Sequence, residues 1–308
     1  MYNELNAVSD ALRVLLKNKI NKHKGKIYHY TSPEGLLNIL SSGKIWFSNI
    51  RFLNDKSENN YIYTLFPNNR DECSKIKLDK DFFELINDIK NQYLKNDFCK
   101  IDEITFWSGH VFVACFSVDK DNLSLWNYYT KNDKHVGYNI CFDEQPFQFC
   151  QEYASYLYGK VIYDIKTQKE LVKLILNSYN NFYISNKNRI KNTKCEISED
   201  NLKLKFIKSF LDIIEIFNIF LKHYAYKFES EYRCVLFDVK YNPLPSWRVC
   251  NGFFIPYLEE EYEKKYFSEL GIKSTDNIEI FKNSLELFLN TKKYENINIW
   301  ESKIPQRY

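Results

Sequence analysis

The sequence is poor in glycine: its 308 residues include only eight, all of them isolated. A G-x-G-x-x-G turn or a G-x-x-x-x-G-K-[ST] loop needs glycines a few residues apart, where the backbone approaches a phosphate. Neither motif can be written anywhere in this chain. This scarcity excludes Rossmann dehydrogenases and P-loop NTPases. A nucleotide bound here would need helix N-termini and side chains to hold its phosphates, and aromatic rings to stack its bases.

The chain also lacks a marked excess of either charge and any long apolar run. Forty-three Lys and Arg against forty Asp and Glu give a net charge of +3, short of the surplus typical of a dedicated nucleic-acid binder. The most apolar segment, 210–221, is interrupted by Asp212, Glu215 and Asn218, so a membrane span is not expected. The N-terminus carries early acids and no long apolar stretch, unlike a signal peptide. We expect a bacterial or phage protein of the cytoplasm, with no membrane association.

Metal-binding cysteine patterns are absent from the sequence. The eight cysteines form no C-x-x-C and accompany no H-x-x-x-H, the spacings typical of zinc sites. Cys115, Cys141 and Cys234 lie inside apolar strand-like runs, where a thiol usually behaves as a small core residue. We therefore predict reduced cysteines and no metal.

The periodicity of apolar residues predicts a mixture of helices and strands. Helical spacing covers residues 4–17, 33–42, 82–94, 123–129, 168–184, 200–224 and 282–291. Short runs of β-branched and aromatic residues predict strands over 26–30, 44–48, 111–118, 136–142, 158–163, 231–239, 253–257 and 297–300. The helix at 33–42 has the clearest limits, with Thr31 and Ser32 as possible caps, Glu34 completing a capping box and Gly43 at its end. We predict one α+β domain over residues 1–308, with a helical insertion over 166–226.

Four separated motifs carry a family resemblance. They are Tyr28-His29-Tyr30-Thr31-Ser32 with the following GLLNIL and SGKIWFSN; Phe52-Leu53-Asn54-Asp55 with Glu58; Ala114-Cys115-Phe116-Ser117 with Leu125-Trp126-x-x-Tyr129 and His135-Val136-Gly137; and Tyr226-Lys227-x-Glu229-x-Glu231-Tyr232-Arg233, with Ser302-Lys303-Ile304-Pro305 near the end. In this order and spacing they resemble the bacterial domain of unknown function family 2971 over nearly the whole chain.

A more distant resemblance implies a fold and a chemistry. A strand ending in His-Tyr-Thr-Ser, followed by a helix and an S-G-x-hydrophobic strand, is similar to the opening of ADP-ribosyltransferase-type folds, especially nucleic-acid-modifying toxins. Those proteins carry a His on the first strand, an aromatic residue in the middle and a Glu on a late strand. His29 and Glu231 take the outer positions by resemblance, and Tyr129, Tyr128, Tyr61 and Tyr63 are alternatives for the middle. The implied fold is a split β-sheet core with flanking helices.

The implied chemistry, cleavage of an N-glycosidic bond, needs a carboxylate beside a ribosyl cation. Glu231 or Glu229 could bind a ribose hydroxyl and stabilise the cation, an effect on the order of a hundredfold or more in rate. On a strand the two side chains would point the same way, so that one steadies the sugar and the other activates the acceptor. Alternatively, both glutamates form the solvated face of a strand that buries Phe228, Tyr232 and Cys234 on its other side.

Residues around the first strand suggest a phosphate site. The His29 ring could hydrogen-bond a ribose hydroxyl, with Tyr30 beside it. The amides that begin the next helix and the hydroxyls of Thr31 and Ser32 would form an anion site. Arg233 and Arg51 could clamp a phosphate; alternatively they form ion pairs with Asp55 or Glu58.

Two further groups of residues complete the candidates. Trp126 and Tyr129 lie one helical turn apart and could stack a nicotinamide or a base, although aromatic residues at this spacing are common core material. Asn54 and Asp55 form either a substrate loop or a turn held by side-chain hydrogen bonds. His135 could contact substrate, although a strand-entry turn is its more natural place.

The leading hypothesis is an ADP-ribosyltransferase-like enzyme. It would break the nicotinamide–ribose bond of NAD and pass ADP-ribose to a nucleic-acid or protein acceptor, in a toxin or phage-defence role that the resemblance alone implies. A second hypothesis is a DNA or RNA base N-glycosylase that uses the same residues, with its target base flipped out of the stack. A third is a catalytically silent module that binds a nucleotide or a partner.

Overall fold

A computed structural model shows an α+β protein with a mixed β-sheet. It describes residues 2–20, 23–53, 60–69, 77–94, 111–129, 136–143, 147, 155–192, 201–237, 244–250, 252–273 and 277–305. Within these ranges no helix is long and apolar enough to cross a membrane.

Helices and strands alternate along the chain. The helices are α1 (Tyr2–Ile20), α2 (Pro33–Ser42), α3 (Tyr61–Thr64), α4 (Lys80–Leu94), α5 (Leu123–Tyr129), α6 (Ile165–Asn192), α7 (Leu202–Asn218) and α8 (Ile278–Thr291). The strands are β1 (Ile27–Thr31), β2 (Lys44–Asn49), β3 (Val111–Ser117), β4 (Tyr138–Phe142), β5 (Ser155–Lys160), β6 (Glu231–Phe237), β7 (Ser246–Cys250), β8 (Phe253–Glu261), β9 (Phe267–Ile272) and β10 (Asn298–Glu301). Short 3-10 helices cover Ile50–Phe52, Tyr224–Glu229 and Lys264–Tyr266.

The chain divides into two compact units, and the first is helical. It comprises Met1–Lys22, Ile50–Val111 and Val161–Tyr224. Here α7 packs against α1 and α6, and Phe206 and Phe210 contact the buried ring of Phe82. The predicted helices of 166–226 therefore belong to a larger helical unit that also includes α1 and α4.

The second unit contains the sheet. It comprises His23–Asn49, Phe112–Lys160 and Ala225–Tyr308. The strand order is β10-β9-β4-β1-β3-β2-β8-β7, with β6 paired to β3 and β5 paired to β6. The β9–β10 pair is parallel, and the other pairs with a defined register are antiparallel. One face of the sheet supplies the main core, which includes Phe116, Ile140 and Tyr232. A smaller cluster on Tyr30 and Trp126 is separate from it.

The pairing of β1 with β3 is short, within a single ten-stranded sheet. Its register consists of a single pair, Tyr28 with Ser117, whereas β1 pairs with β4 along its whole length. Two residues before Ser117, the backbone carbonyl of Cys115 on β3 is hydrogen-bonded to the His29 side chain.

Local signals set the limits of α2 as predicted. Ser32 is the N-cap and accepts a hydrogen bond from the Gly35 amide at 3.2 Å. Gly43 ends the helix with a left-handed φ of 71°, a conformation in which glycine lacks the steric penalty of other residues. The limits of α5 also agree with the prediction. The sequence patterns missed two strands, β7 and β9.

Gly35 is required by a close approach between α2 and β1. A Cβ at this position would overlap the Oγ1 atom of Thr31, and Thr31 is itself buried. Helix propensity alone would make Gly35→Ala stabilising by about 1 kcal/mol. We expect the overlap to reverse that sign, with a loss of about 1–3 kcal/mol in urea unfolding followed by circular dichroism. Leu37→Ala, on the exposed side of the same helix, is the control. A Gly35→Ala protein as stable as the wild type would contradict the expectation.

Candidate functional site

Glu231 and Arg233 form a buried ion pair on β6. The guanidinium Nε donates to Oε1 of Glu231 at 2.8 Å, and Nη2 donates to Oε2 at 3.1 Å. Their exposed fractions are only 5% and 1%. Because side chains alternate along a strand, both lie on the face of β6 opposite to Tyr232, which belongs to the main core. Glu231 therefore does not belong to a solvated face. Two of the Arg233 donors are used in hydrogen bonds to the Glu231 carboxylate.

The segment before β6 has a strained turn. Ser230 has a φ of +46°, a left-handed conformation that costs a non-glycine residue about 1–2 kcal/mol. Glu229 lies at the end of a 3-10 helix, before this turn, so the two glutamates do not follow strand alternation as the E-x-E pattern predicted. Three bonds hold the segment: Val118 N donates to Ser230 O, Ser117 Oγ to Glu229 O and Asn122 Nδ2 to Phe228 O.

The charges of both glutamates affect the pKa of Tyr129, at the end of α5. Burial raises the pKa of the Tyr129 phenol, and the nearby groups of Cys115, Glu231 and Glu229 raise it further, because a negative charge opposes deprotonation. The phenol is therefore a hydrogen-bond donor at neutral pH rather than a base. The ring of Tyr128 lies 5.2 Å from it. Both tyrosines are 39% exposed, so this end of α5 is open to solvent.

Of the four middle tyrosines left open by the sequence, Tyr61 and Tyr63 are core residues of the helical unit. Tyr61 donates to Gln168 at 2.8 Å, and Tyr63 stacks on Tyr93. The charges of Glu231 and Glu229 act on Tyr129, whose pKa they raise.

His29 is linked to β3 by a hydrogen bond to the backbone of Cys115. Its Nδ1 lies 3.0 Å from the carbonyl oxygen of Cys115; because a carbonyl only accepts, Nδ1 carries the proton and Nε2 keeps a free lone pair when the ring is neutral. Burial lowers the pKa of His29, and the bond to Cys115 partly offsets this. Its ring packs 5.4 Å from Phe116, on the main-core side. The side chains of His29 and Glu231 thus leave their strands on opposite faces, with the Cys115 backbone between them.

Asn122 links α5 to the glutamate segment. Its Oδ1 caps α5 by accepting from the amides of Ser124 and Leu125 at 3.0 and 3.2 Å. Its Nδ2 donates to Phe228 O at 2.6 Å, and its own amide donates to the Tyr30 hydroxyl. Asn122 was not among the residues predicted from the sequence to form the site, although an Asn directly before a predicted helix is a recognised capping signal.

Trp126 and Tyr30 are enclosed rather than open to a ligand. Trp126 is 1% exposed and donates from Nε1 to Asp121 at 2.7 Å. Tyr30 packs edge-on against it and donates its hydroxyl to the carbonyls of Asp119 and Lys120. This favours the core interpretation of Trp126 over a stacking surface. Asp121 also accepts from Ser302 Oγ at 2.7 Å, which gives the C-terminal Ser-Lys motif a structural role.

The other predicted binding residues are dispersed. Thr31 is buried beside α2, and the hydroxyl of Ser32 is used as the helix cap. Arg51 is exposed in a 3-10 helix of the first unit. Asn54, Asp55, Glu58 and His135 lie outside the described residues. Among the residues that are described, no cluster of three or more His, Cys, Asp or Glu is arranged to hold a metal ion.

The part of the chain that carries this site matches a family model. Residues 125–234 match the family described as Protein of unknown function (DUF2971). The match covers little more than a third of the chain, less than the resemblance predicted, and includes Tyr129, Glu229, Glu231 and Arg233 but not His29. No curated protein and no solved structure matches the chain.

The strain at Ser230 predicts an unusual response to substitution. Ser230→Gly should raise the free energy of unfolding by about 0.5–1 kcal/mol, since glycine adopts φ > 0 without a Cβ penalty. Ser230→Val should lower it, because a β-branched residue is a genuine outlier there. Urea denaturation of both variants measures the two signs. Equal stability of the two variants would show that the turn relaxes without cost.

The lowered pKa of His29 predicts a pH dependence of stability. The unfolded chain binds a proton at His29 near the ordinary pKa of 6.5, whereas the folded protein keeps the ring neutral to lower pH. The free energy of unfolding should therefore fall as pH drops below about 6.5. His29→Gln, which keeps an N–H donor for Cys115, should flatten that slope in denaturant titrations between about pH 7 and about pH 5.5. An unchanged slope in the variant would remove His29 as its source.

Proposed function

We propose that the protein is an ADP-ribosyltransferase-like enzyme that cleaves the nicotinamide–ribose bond of NAD, with Glu231 and Tyr129 at its centre. The observations that support this proposal are that the charges of Glu231 and Glu229 raise the pKa of Tyr129, and that Arg233 holds the buried Glu231 carboxylate through two hydrogen bonds. These residues lie within the region matched by the family model. The bacterial, phage-defence or toxin setting is part of the same proposal, as is a nucleic-acid or protein acceptor.

In this reaction the bond between ribose C1′ and the nicotinamide nitrogen breaks, and its electron pair leaves with neutral nicotinamide. The positive charge that develops on the sugar is stabilised by the Glu231 carboxylate, which Arg233 keeps oriented through two hydrogen bonds. A fixed anion in a water-poor site costs no reorganisation as the charge develops. Tyr129 supplies a neutral hydroxyl and a ring face to the substrate.

Transfer is completed when a lone pair of the acceptor attacks C1′ and the acceptor loses a proton. Glu229 is the base proposed for that proton, since it is only half-buried and precedes the strained turn. His29 takes no part in this step, because its side chain leaves β1 on the face opposite to Glu231. Nucleobase excision by an N-glycosylase would use the same residues, with a base as the leaving group.

A second candidate function is a catalytically silent binding module. The observation in its favour is the Glu231–Arg233 pair, because a bidentate partner neutralises the carboxylate that catalysis would need as a free charge. In that case the open end of α5, with Tyr128 and Tyr129, binds a nucleotide or a partner without chemistry.

Incubation with NAD and chromatographic detection of nicotinamide tests the enzyme proposal. With acceptors present, we expect release from the wild type, a loss of about a hundredfold or more in Glu231→Gln and about tenfold in Tyr129→Phe, the value of one hydrogen bond to the substrate. Glu259→Gln is the matched control, a strand glutamate of the same unit that pairs with Lys44. Calorimetric binding of an uncleavable NAD analogue should persist in Glu231→Gln.

Two results would overturn the proposal. One is the absence of nicotinamide release with nucleic-acid and protein acceptors alike. The other is full activity in Glu229→Gln and Glu231→Gln proteins whose circular dichroism shows that they are folded. Abasic sites in nucleic acid without nicotinamide release would instead identify the N-glycosylase.

A further inference from the structure

The hairpin of β7 and β8 carries a concentrated apolar patch. We define the hairpin patch as Leu244, Trp247, Val249, Phe253 and Phe254, each of which is 60–82% exposed. Other apolar side chains with similar exposure, such as Ile280 and Leu287 on α8, stand two helical turns apart. Isolated exposed apolar residues are normal, whereas a contiguous group marks an interaction site.

Strand pairing places three members of the patch on one face. In the β7–β8 register Trp247 is opposite Pro256, and Val249 is opposite Phe254. Directly opposed residues share a face in an antiparallel pair. Arg248 pairs with Ile255 on the other face, where Ile255 is buried. The first face of the hairpin is therefore apolar, with Trp247, Val249 and Phe254 exposed on it and Pro256 buried.

β7 is also an edge strand with little protection. It is the last strand in the sheet order, and among the described residues it pairs with β8 alone. Natural edge strands are guarded by lysine, proline, bulges or inward charges, because their free N–H and C=O groups template further pairing. The strand SWRVC contains neither lysine nor proline, and its pairing with β8 is regular.

The single charge of β7 is directed away from the edge. Arg248 donates from Nη2 to Ser48 on β2 at 2.8 Å, and its guanidinium lies 5.9 Å from the Trp46 ring. Since β2 is separated from β7 by β8, the side chain crosses the sheet toward its interior. The guanidinium is thus held by partners within its own sheet and does not project from the free edge.

From this geometry we propose that β7 is the contact strand of a symmetric homodimer, paired antiparallel with β7 of a second copy. An edge strand pairing with itself in antiparallel orientation generates a twofold axis, so the same patch serves both copies. A twofold axis at Arg248 puts Trp247 of each copy opposite Val249 of the other. This gives two aromatic–β-branched pairs on the apolar face of the hairpin. The inward course of the Arg248 side chain separates the two like charges at the axis.

The apolar face supplies part of the area that a dimer needs. With about 150–250 Å² for each aromatic side chain, the exposed parts of Trp247, Val249 and Phe254 offer on the order of 300 Å² from each copy. A stable interface buries about 800 Å² per partner, and the paired backbone of β7 supplies part of the remainder. The pairing would extend the sheet across two chains and leave no free edge at β7.

Sedimentation equilibrium of the full chain over a wide range of concentration tests the proposal. We expect the wild type to have twice the mass of one chain. Trp247→Lys and Val249→Lys should each raise the dimer dissociation constant by at least about tenfold, because a lysine at the edge introduces a charge into the paired strands. Both positions are exposed, so the circular dichroism of the variants should match that of the wild type and show that they are folded.

Leu287→Lys is the matched control, an equally exposed leucine on α8 that should leave the dimer intact. A wild type with the mass of one chain at every concentration would overturn the proposal and leave the patch to another protein. A dimer that persists unchanged in both folded lysine variants would overturn it as well, since the contact would then lie elsewhere.

Discussion

Two opposite charges are buried on one face of β6, and each is tolerated only because of the other. Taking an ion out of water costs several kcal/mol, and that cost is recovered only when geometry and hydrogen bonds are good. The two bonds between Arg233 and Glu231 meet this requirement. The pair in turn keeps a carboxylate at a fixed place near the Tyr129 phenol. The proposed enzyme activity depends on that charge staying where it is.

A network of hydrogen bonds makes the surroundings of this pair a unit. Asn122 caps α5 and also holds the carbonyl of Phe228, while Ser117 holds that of Glu229. The tyrosine and the glutamates are carried by separate elements, yet both are tied to the short loop after β3. A change in that loop would shift both sides of the site together. The left-handed Ser230 persists because these bonds over-determine the segment around it.

The sequence predicted elements whose signals are local. The helix α2 was found with its limits because Ser32 and Gly43 are capping residues that act within one turn, and the limits of α5 followed from its helical spacing. β9 was missed because Glu269 and Gly271 lower its strand propensity. Their reasons are distant: Glu269 binds Lys26 and Lys120, and Gly271 leaves room for Asn139 and Trp300. Tertiary partners of this kind are invisible to periodicity.

In the candidate site, too, local features were predicted from the sequence and tertiary contacts were missed. His29, Tyr129 and Glu231 were selected by resemblance; the charges of Glu231 and Glu229 raise the pKa of Tyr129, and its middle position stays a prediction. Strand alternation was predicted to make Glu229 and Glu231 point the same way, but it does not apply to Glu229, because the strand begins only after the turn at Ser230. The spacing of Trp126 and Tyr129 could not separate core from surface; the first is enclosed and the second is open. Neither the Arg233 pairing nor the role of Asn122 in holding Phe228 has a signature in sequence.

The bond between Asp121 and Ser302 joins residues 181 positions apart, and Asp121 also holds the indole of Trp126. During synthesis the chain leaves the ribosome from its N-terminus, so α5 is made long before the residues that secure its anchor. The anchor of α5 therefore reaches its final state only after Ser302 has emerged. An order of this kind delays completion of the region around Tyr129 until long after Tyr129 itself has been made.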